Sequence, residues 1–187
     1  KGLRLTASQP FYVRVDVDAD PQGTSLSSKG SFAKGQEFYA AHFVHAADEN
    51  TGNFISFMAT ENSTSVTVTP PSGCTWTGST SVTLSANQSA VVANQDFSNN
   101  CIGTKVTSDK DIVVVSGSWS GRIGNNSTNG RDMGVDQLIP ASAFGTHYLI
   151  HEGYPSAYPG AKAIVVAKEA NTQVSVNGAL QTTLAAQ

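Results

Sequence analysis

The sequence has little charge and is poor in Leu and Glu, and each shortage excludes a class of protein. Only 13% of the 187 residues are charged, and the net charge is −3. Without an excess of basic residues to neutralise phosphates, nucleic-acid binding is not expected. The longest apolar runs, such as residues 112–115, are far too short to cross a membrane, so no transmembrane segment is predicted. Leu and Glu are scarce while Gly, Ser, Thr, Asn and Val dominate, which predicts an all-β chain with almost no helix.

Cysteine is also scarce, since Cys74 and Cys101 are the whole thiol inventory and no CxxC motif is present. An even cysteine count in a weakly charged chain rich in Ser, Thr and Asn is typical of secreted proteins. We therefore expect a disulfide between them and an extracellular or cell-surface location. Four Asn-x-Ser/Thr sequons are candidate glycosylation sites if the source is eukaryotic. The sequons begin at Asn62, Asn87, Asn125 and Asn126.

Four sequence blocks recur in the same order, which indicates an internal duplication. The matching blocks are 2–13 with 103–114, 35–39 with 145–149, 59–68 with 167–176, and 83–86 with 183–186. Short strand-like runs separated by turn signals are typical of β-sandwiches. The sequence therefore predicts two tandem antiparallel β-sandwich units, immunoglobulin-like or jelly-roll-like. We call residues 1–102 repeat one and residues 103–187 repeat two.

The blocks have local patterns of strands and turns. Val66 and Val68 alternate with polar residues, as in a half-buried strand. The Asn-Gly pair at 177–178, between two strand-like runs, predicts a type I′ hairpin. In repeat one this turn is replaced by residues 70–76, so the disulfide is expected to fasten an insertion. Repeat two has no counterpart of the strand-like residues 89–93, and we expect an unpaired sheet edge there, completed by further chain or by a neighbouring subunit.

No catalytic constellation is recognisable, and we expect no enzymatic activity. Trp119 occupies the centre of a Gly-Ser-Trp-Ser-Gly run, where a nucleophile elbow requires serine. The four histidines are spaced three or four residues apart within two strand-like segments, a spacing that separates their rings on a strand. We expect partly exposed strand histidines rather than a metal site. They are His42, His45, His147 and His151.

Three alternating carboxylates precede a glycine in repeat one and form a candidate calcium site. Asp16, Asp18 and Asp20 supply the clustered oxygens that a hard cation prefers. Against this, Ser27 occupies the position at which an EF-hand has its bidentate glutamate, and repeat two lacks the aligned carboxylates. The alternative interpretation is a solvated, negatively charged strand edge that discourages aggregation. No other cofactor is expected.

A long polar insertion, residues 121–134 of repeat two, is a candidate surface for a ligand or a partner. Long loops in compact domains often carry function, and aromatic residues lie near it in the sequence. The surface would suit a sugar or a peptide; the alternative is a mobile loop or a subunit contact. Its candidate residues are Trp119, Arg122, Asn125, Asn126, Arg131, Asp132, Tyr154 and Tyr158.

Five short motifs run along nearly the whole chain. They are GTKVTSDKDIVVVSG at 103–117, DQLIP at 136–140, FGTHY at 144–148, SKG at 28–30 and GQEF at 35–38. Together they resemble the N-terminal domain family of IgG-Fc-binding proteins. The resemblance implies an extracellular module of the kind found in mucin-associated proteins of animals and in large surface or gliding-related adhesins of Bacteroidetes-type bacteria. It implies adhesion or matrix assembly rather than catalysis, and it supplies no Fc-contacting residues that match positions in this chain.

These observations together predict a non-catalytic structural or adhesive module of a cell-surface, matrix or filament assembly. The expected partners are other protein subunits or further modules of the same chain, together with glycans or mucin-type glycoproteins. The alternative is a lectin-like module that binds carbohydrate or glycoprotein through residues 121–134 and the nearby aromatic side chains.

Overall fold

The described part of the chain folds into strands joined by turns and two short 3₁₀ helices. The computed structural model describes residues 2–19, 22–45, 52–94, 101–122, 132–150 and 163–186. Within these ranges the strands are β1 Arg14–Ala19, β2 Gln22–Ser27, β3 Gly35–Tyr39, β4 Val44–His45, β5 Asn53–Ala59, β6 Thr64–Thr69, β7 Ser81–Leu84, β8 Ser89–Asn94, β9 Lys105–Arg122, β10 Asp132–Gln137, β11 Thr172–Val176 and β12 Ala179–Leu184. The 3₁₀ helices are Gly30–Ala33 and Ala141–Ala143. Strand accounts for 50% of the structure and helix for 5%, so the all-β prediction is confirmed.

Local sequence patterns explain individual strands and turns. Along β6 buried and exposed residues alternate, with Val66 and Val68 pointing inward, because successive side chains of a strand face opposite sides. The turn between β11 and β12 has positive φ angles at both central residues, 49° at Asn177 and 84° at Gly178. Those angles are required by a type I′ turn, so the predicted hairpin is confirmed.

The long strand β9 organises the largest sheet, which has eight strands among the described residues. The first part of β9 pairs with β3 and β6, and both of these strands pair with Val106. The second part pairs with β5 and β10, which share Ser116. A residue in a sheet can pair with one strand on each side. Because Val106 and Ser116 each pair with two strands, both parts of β9 have a neighbouring strand on either side. With β7 beside β6 and β8 beside β5, the result is a nearly closed, barrel-like sheet.

The hydrophobic core fills the interior of this sheet and is shared between the two repeats. Burying each large apolar side chain contributes roughly 1.5–3 kcal/mol. The core residues that are at most 1% exposed include Phe38, Ile55, Phe57, Val66 and Val92 from repeat one and Val106, Ile112 and Val114 from repeat two.

The eight-stranded sheet crosses the boundary between the repeats. β9 begins just beyond residue 102, yet it pairs with β3, β5 and β6, all of which belong to repeat one. The two tandem sandwich units are therefore not confirmed, and the division into domains 1–102 and 103–187 stays a prediction.

The aligned sequence blocks nevertheless share some local structure. Thr64 Oγ1 donates a hydrogen bond to the carbonyl oxygen of Glu61 at 2.8 Å, and Thr172 Oγ1 donates to Glu169 at 2.6 Å. In both turns the residue before the threonine has a positive φ, 55° and 60°. Each 3₁₀ helix also lies shortly before its copy of the second block. The two repeats therefore share their turns even where their strands have different neighbours.

Two hairpins, β1–β2 and β11–β12, form separate two-stranded sheets. β11 pairs only with β12 among the described strands, and Val176 and Leu180 of this hairpin are 55% and 58% exposed. A two-stranded hairpin is at best marginally stable by itself. The β11–β12 hairpin therefore presents both a sheet edge and apolar side chains to its surroundings.

Candidate binding surfaces

The disulfide between Cys74 and Cys101 is confirmed, with a Cα–Cα distance of 5.5 Å. Cys74 lies in the insertion between β6 and β7, and Cys101 lies just before β9. Trp76 in the same insertion is buried, and its Nε1 donates to Thr104 Oγ1 at 2.9 Å. Thr104 Oγ1 in turn donates to the carbonyl oxygen of Cys101 at 2.8 Å. The bridge and these hydrogen bonds fasten the insertion to the start of β9.

Of the residues predicted to form the ligand surface, Trp119 is the one whose side chain the structure describes. It is 42% exposed, and its ring packs against Phe54 with a centroid distance of 4.9 Å. Its neighbours Ser118 and Ser120 point inward, so alternation along β9 turns Trp119 outward. A tryptophan that rests on a second ring offers a pre-positioned aromatic face, the kind of group that is enriched at interfaces.

The rest of that predicted surface is not tested by the structure. Arg122 ends β9 and Asp132 begins β10, where Asp132 pairs with Gly121, so the two residues lie at the two ends of the insertion. Their side chains are not described. The remaining predicted members, Asn125, Asn126, Arg131, Tyr154 and Tyr158, lie outside the described residues.

The carboxylates of the candidate calcium site lie on the β1–β2 hairpin. Asp16 and Asp18 are exposed on β1, and Asp20 lies outside the described residues. Asp16 accepts a 2.8 Å hydrogen bond from Arg14 Nε, which together with the attraction between the charges raises the pKa of Arg14. Across the described ranges no group of three or more His, Cys, Asp or Glu side chains is placed to hold a metal ion. Calcium at this hairpin stays a prediction.

Two of the sequons can be located. Asn62 and Asn87 are exposed in turns, and Asn62 Oδ1 accepts a hydrogen bond from the backbone of Ala86 at 3.0 Å. Asn125 and Asn126 lie outside the described residues. Glycosylation at the four asparagines stays a prediction.

The expectation of partly exposed histidines is wrong for His42, which is 5% exposed. Its Nδ1 lies 2.8 Å from Ser116 Oγ, so this ring belongs to the interior of the sheet. His147 is exposed, as expected, and His151 lies outside the described residues. The side chain of His45, on β4, is not described.

Sequence reasoning missed a row of buried polar residues on β9, one of which, Ser116, contacts His42. Ser116, Ser118 and Ser120 point to the interior from the second half of β9 and are at most 1% exposed, and Asn53 on β5 is equally buried. The Oγ atoms of Ser118 and Ser120 have no hydrogen-bond partner among the described residues. The signal in the sequence was a serine at every second position directly after a run of valines. On a strand this spacing places the three hydroxyls on one face.

A second contact between the repeats is ionic. Glu37 on β3 lies 3.2 Å from Lys105 Nζ on β9 and 3.3 Å from Lys168 Nζ. Burial alone would raise the pKa of Glu37, but hydrogen bonds from the two lysines lower it overall. For Lys105 burial acts to lower the pKa, and the hydrogen bond to Glu37 raises it overall. The carboxylate therefore holds the segment around Lys168 against β3.

Large apolar side chains are exposed at several places among the described residues, including Phe32 and Val91, and two groups of them lie on extended backbone. We call residues 3–13 the N-terminal segment, and residues 145–149, 163–167 and β11 the open segments of repeat two. Contiguous exposed apolar surface usually marks an interaction site. The exposed side chains are Leu3, Leu5, Phe11 and Tyr12 in the N-terminal segment, and Tyr148, Leu149, Val165 and Val176 in the open segments.

Residues 23–187 match the family described as IgGFc binding protein, which is nearly the whole chain. The chain belongs to the IgGFc binding protein family. Membership indicates an extracellular binding module and confirms the resemblance seen in the sequence. The comparisons with curated proteins and with solved structures gave no significant match. Among the described residues no helix has the length and apolarity needed to cross a membrane.

In this IgGFc binding family member, the recognisable motifs meet where the two repeats join. Lys29, in the Ser-Lys-Gly motif, donates its backbone N–H to Gln137 Oε1 and its ammonium to Asp136 Oδ1, both at 2.6 Å. A Cβ atom at Gly35 would lie 2.3 Å from Cβ of Pro140, so a side chain at this position would clash. The motifs of repeat one therefore bind the Asp-Gln-Leu-Ile-Pro motif of repeat two, which assigns these motifs a structural role.

Proposed function

We propose that this chain is a non-catalytic extracellular module with a structural or adhesive role, which joins other modules or protein subunits in a cell-surface, matrix or filament assembly. The observation that carries the proposal is the exposure of apolar side chains along extended backbone. Leu149 is 105% exposed, Tyr12 70% and Val165 52%. Folded monomers rarely leave so much apolar surface on unpaired backbone, because it invites association.

Three further features support this function. The buried disulfide suits an oxidising extracellular environment. The family to which the chain belongs is one of binding modules, and its name points to a protein partner. Charged residues are few, so association through apolar surface and sheet edges meets little electrostatic repulsion. Other copies or modules of this kind, and mucin-type glycoproteins, are the partners proposed.

The experiment is a concentration series of the purified chain in sedimentation velocity. We expect the mean mass to rise with concentration and the rise to be abolished by Val165→Glu, which places a charge among the exposed apolar side chains of the open segments. Thr83→Glu, at an exposed position of β7 in the completed sheet, is the matched control and should assemble like the unaltered chain. A mass that stays that of one chain at every concentration would contradict the proposal.

A second candidate function is carbohydrate binding at Trp119. The exposed tryptophan resting on Phe54 supports it, since such a face packs well against the apolar side of a sugar ring. A glycan array should then give specific binding that Trp119→Ala abolishes. Tyr148→Ala, which removes another exposed aromatic side chain, serves as control and should leave binding intact. An array without specific binding would contradict this candidate.

A further inference from the structure

The eight-stranded sheet shows how one repeat completes the other. The strands of repeat one do not close their own core; β9, from repeat two, lies between them. Val106, Ile112 and Val114 of β9 are 0% exposed, and they fill the space between the surrounding strands. A repeat of this kind therefore receives its central strand from the repeat that follows it.

Repeat two has the receiving segments but no central strand among the described residues. The second block aligns residues 35–39 with 145–149, and the third block, extended toward its N-terminal side, aligns 55–68 with 163–176. Apolar character is kept at most of the aligned positions, and several of these side chains lose their burial, although Ala167 stays buried like its counterpart Ala59. The exposed residues and their buried counterparts are Tyr148 (64%) for Phe38 (0%), Val165 (52%) for Phe57 (1%), and Val176 (55%) for Val68 (3%).

The N-terminal segment is the counterpart of β9 in the first block. Leu5 aligns with Val106 and Phe11 with Ile112, and the two N-terminal side chains are 52% and 54% exposed where those of β9 are fully buried. The β1–β2 hairpin that follows likewise corresponds to the pairing of β9 with β10. The N-terminal segment thus has the sequence of a central strand without a surrounding sheet.

The proline of the N-terminal segment fits this role. Pro10 aligns with Asp111, and the registers of β9 with β3, β5 and β6 leave Asp111 outside the paired positions, at a shift in the β3 ladder. Proline has no N–H to donate and is tolerated in strands at such irregular positions. A central strand with proline at this one position keeps all the ladder pairs that β9 makes.

We propose that the N-terminal segment of a second copy of this chain inserts between the open segments of repeat two, in the register of β9. This inference rests on the proposed function and names its partner and its geometry. Within the ranges that the structure describes, no ladder joins the N-terminal segment to the open segments of its own chain. Gly2, directly before the segment, donates its N–H to the carbonyl oxygen of Asn87, in repeat one, at 3.0 Å. Each chain would donate its N-terminal segment to the next chain. Such a head-to-tail contact builds rings if it closes and filaments if it does not.

The register follows from that of β9. Thr107 pairs with Thr67 on one edge of β9 and with Glu37 on the other. The aligned residues place Thr6 of the incoming segment opposite Ser175 of β11. Facing residues of antiparallel strands have Cα atoms about 4.5–5.5 Å apart, a separation that a disulfide spans.

Cross-linking between separate copies tests this register. Thr6→Cys and Ser175→Cys are made in different copies, mixed and oxidised, and we expect a disulfide-linked species of twice the chain mass. Thr183→Cys is the control partner, because it lies on β12, one strand further from the inserted segment, and pairs with Gln173 rather than Ser175, which places it about 12 Å from Thr6. It should give at most a tenth of the linked product.

The outcomes separate the possibilities. A linked pair in the mixture supports insertion of a second copy. A second sample is the double variant, which carries Thr6→Cys and Ser175→Cys in the same chain. A link that forms only inside single chains of this double variant overturns the proposal in favour of closure within one chain, and the absence of a link in both samples overturns the insertion itself. If these links fail while mass still rises with concentration, the proposed function stands and this inference falls.

A second variant keeps the test independent of cysteine chemistry. Phe11→Ala removes a side chain that is half exposed in one chain and buried in the inserted state, so it should weaken self-association at least about tenfold. Ser8→Ala is its control, since the aligned Asp109 of β9 is exposed. Equal association of the two variants would overturn the inference.

Discussion

Removing the disulfide is the sharpest test of how repeat one is held to β9. Replacing both Cys74 and Cys101 by alanine opens a loop with a sequence separation of 27. The chain-entropy relation gives a loss of about 3.5 kcal/mol in the free energy of unfolding for a loop of this length. Domains are usually stable by about 5–15 kcal/mol, so this is a large share of the total. In urea denaturation the midpoint should fall by about 1–3 M, because small domains have m-values of about 1–3 kcal/mol per molar.

Trp76→Phe separates the bridge from the packing around it. This variant keeps the disulfide and an aromatic ring but loses the hydrogen bond from Nε1 to Thr104, so it should lose only about 1 kcal/mol. A disulfide-free variant that is no less stable than Trp76→Phe would refute the reasoning. In that case the buried hydrogen bonds alone would hold the insertion in place, and the disulfide would add little to the stability.

Four other outcomes are expected. Ile112→Ala, at a fully buried position of β9, should lower the free energy of unfolding by about 2–5 kcal/mol, whereas Phe11→Ala should change that of the unassembled chain by at most about 0.5 kcal/mol, both measured in urea. A chain of residues 1–102 alone should show no cooperative thermal transition, because it lacks β9; a sharp transition would support the predicted domain boundary instead. The pKa of Glu37 is lower in the folded than in the unfolded state. Its contribution to the free energy of unfolding is therefore fully present above its unfolded pKa of about 4.3 and is lost as the pH falls through its folded pKa. The stability difference between the unaltered chain and Glu37→Gln should accordingly be constant near pH 7 and shrink below about pH 4; a difference that does not change with pH would contradict the role of its two lysine partners. Ser118→Ala should leave thermal stability unchanged or raise it, because the replaced hydroxyl is buried without a partner among the described residues, and a clear loss would show that it is hydrogen-bonded in solution.

Local patterns were enough to predict the class of fold and several of its parts. Val66 and Val68 alternate with polar residues whichever strands lie beside them, and an Asn-Gly turn adopts its own φ angles, so these features follow from neighbouring residues. The disulfide followed from composition and from there being only two cysteines.

Partner choice between strands was not predictable in the same way. A run such as residues 112–115 has the same periodicity whether it completes its own repeat or the preceding one, because pairing depends on contacts between distant residues. The interior position of His42 has the same cause, since its neighbour Ser116 comes from β9. Of the predicted ligand surface, Trp119 was chosen for its nearness to the insertion in the sequence, and both its outward orientation and its support by Phe54 required the fold.

The placement of β9 has a consequence for biosynthesis. Because the ribosome releases the chain from its N-terminus, all the strands of repeat one leave it before the strand that completes their core. Until about residue 118 has emerged, β5 and β6 expose edges and apolar faces that the nascent chain cannot yet cover. Folding of this polypeptide is therefore delayed until the first strand of the second repeat has been synthesised, and factors that shield nascent strands should affect its yield.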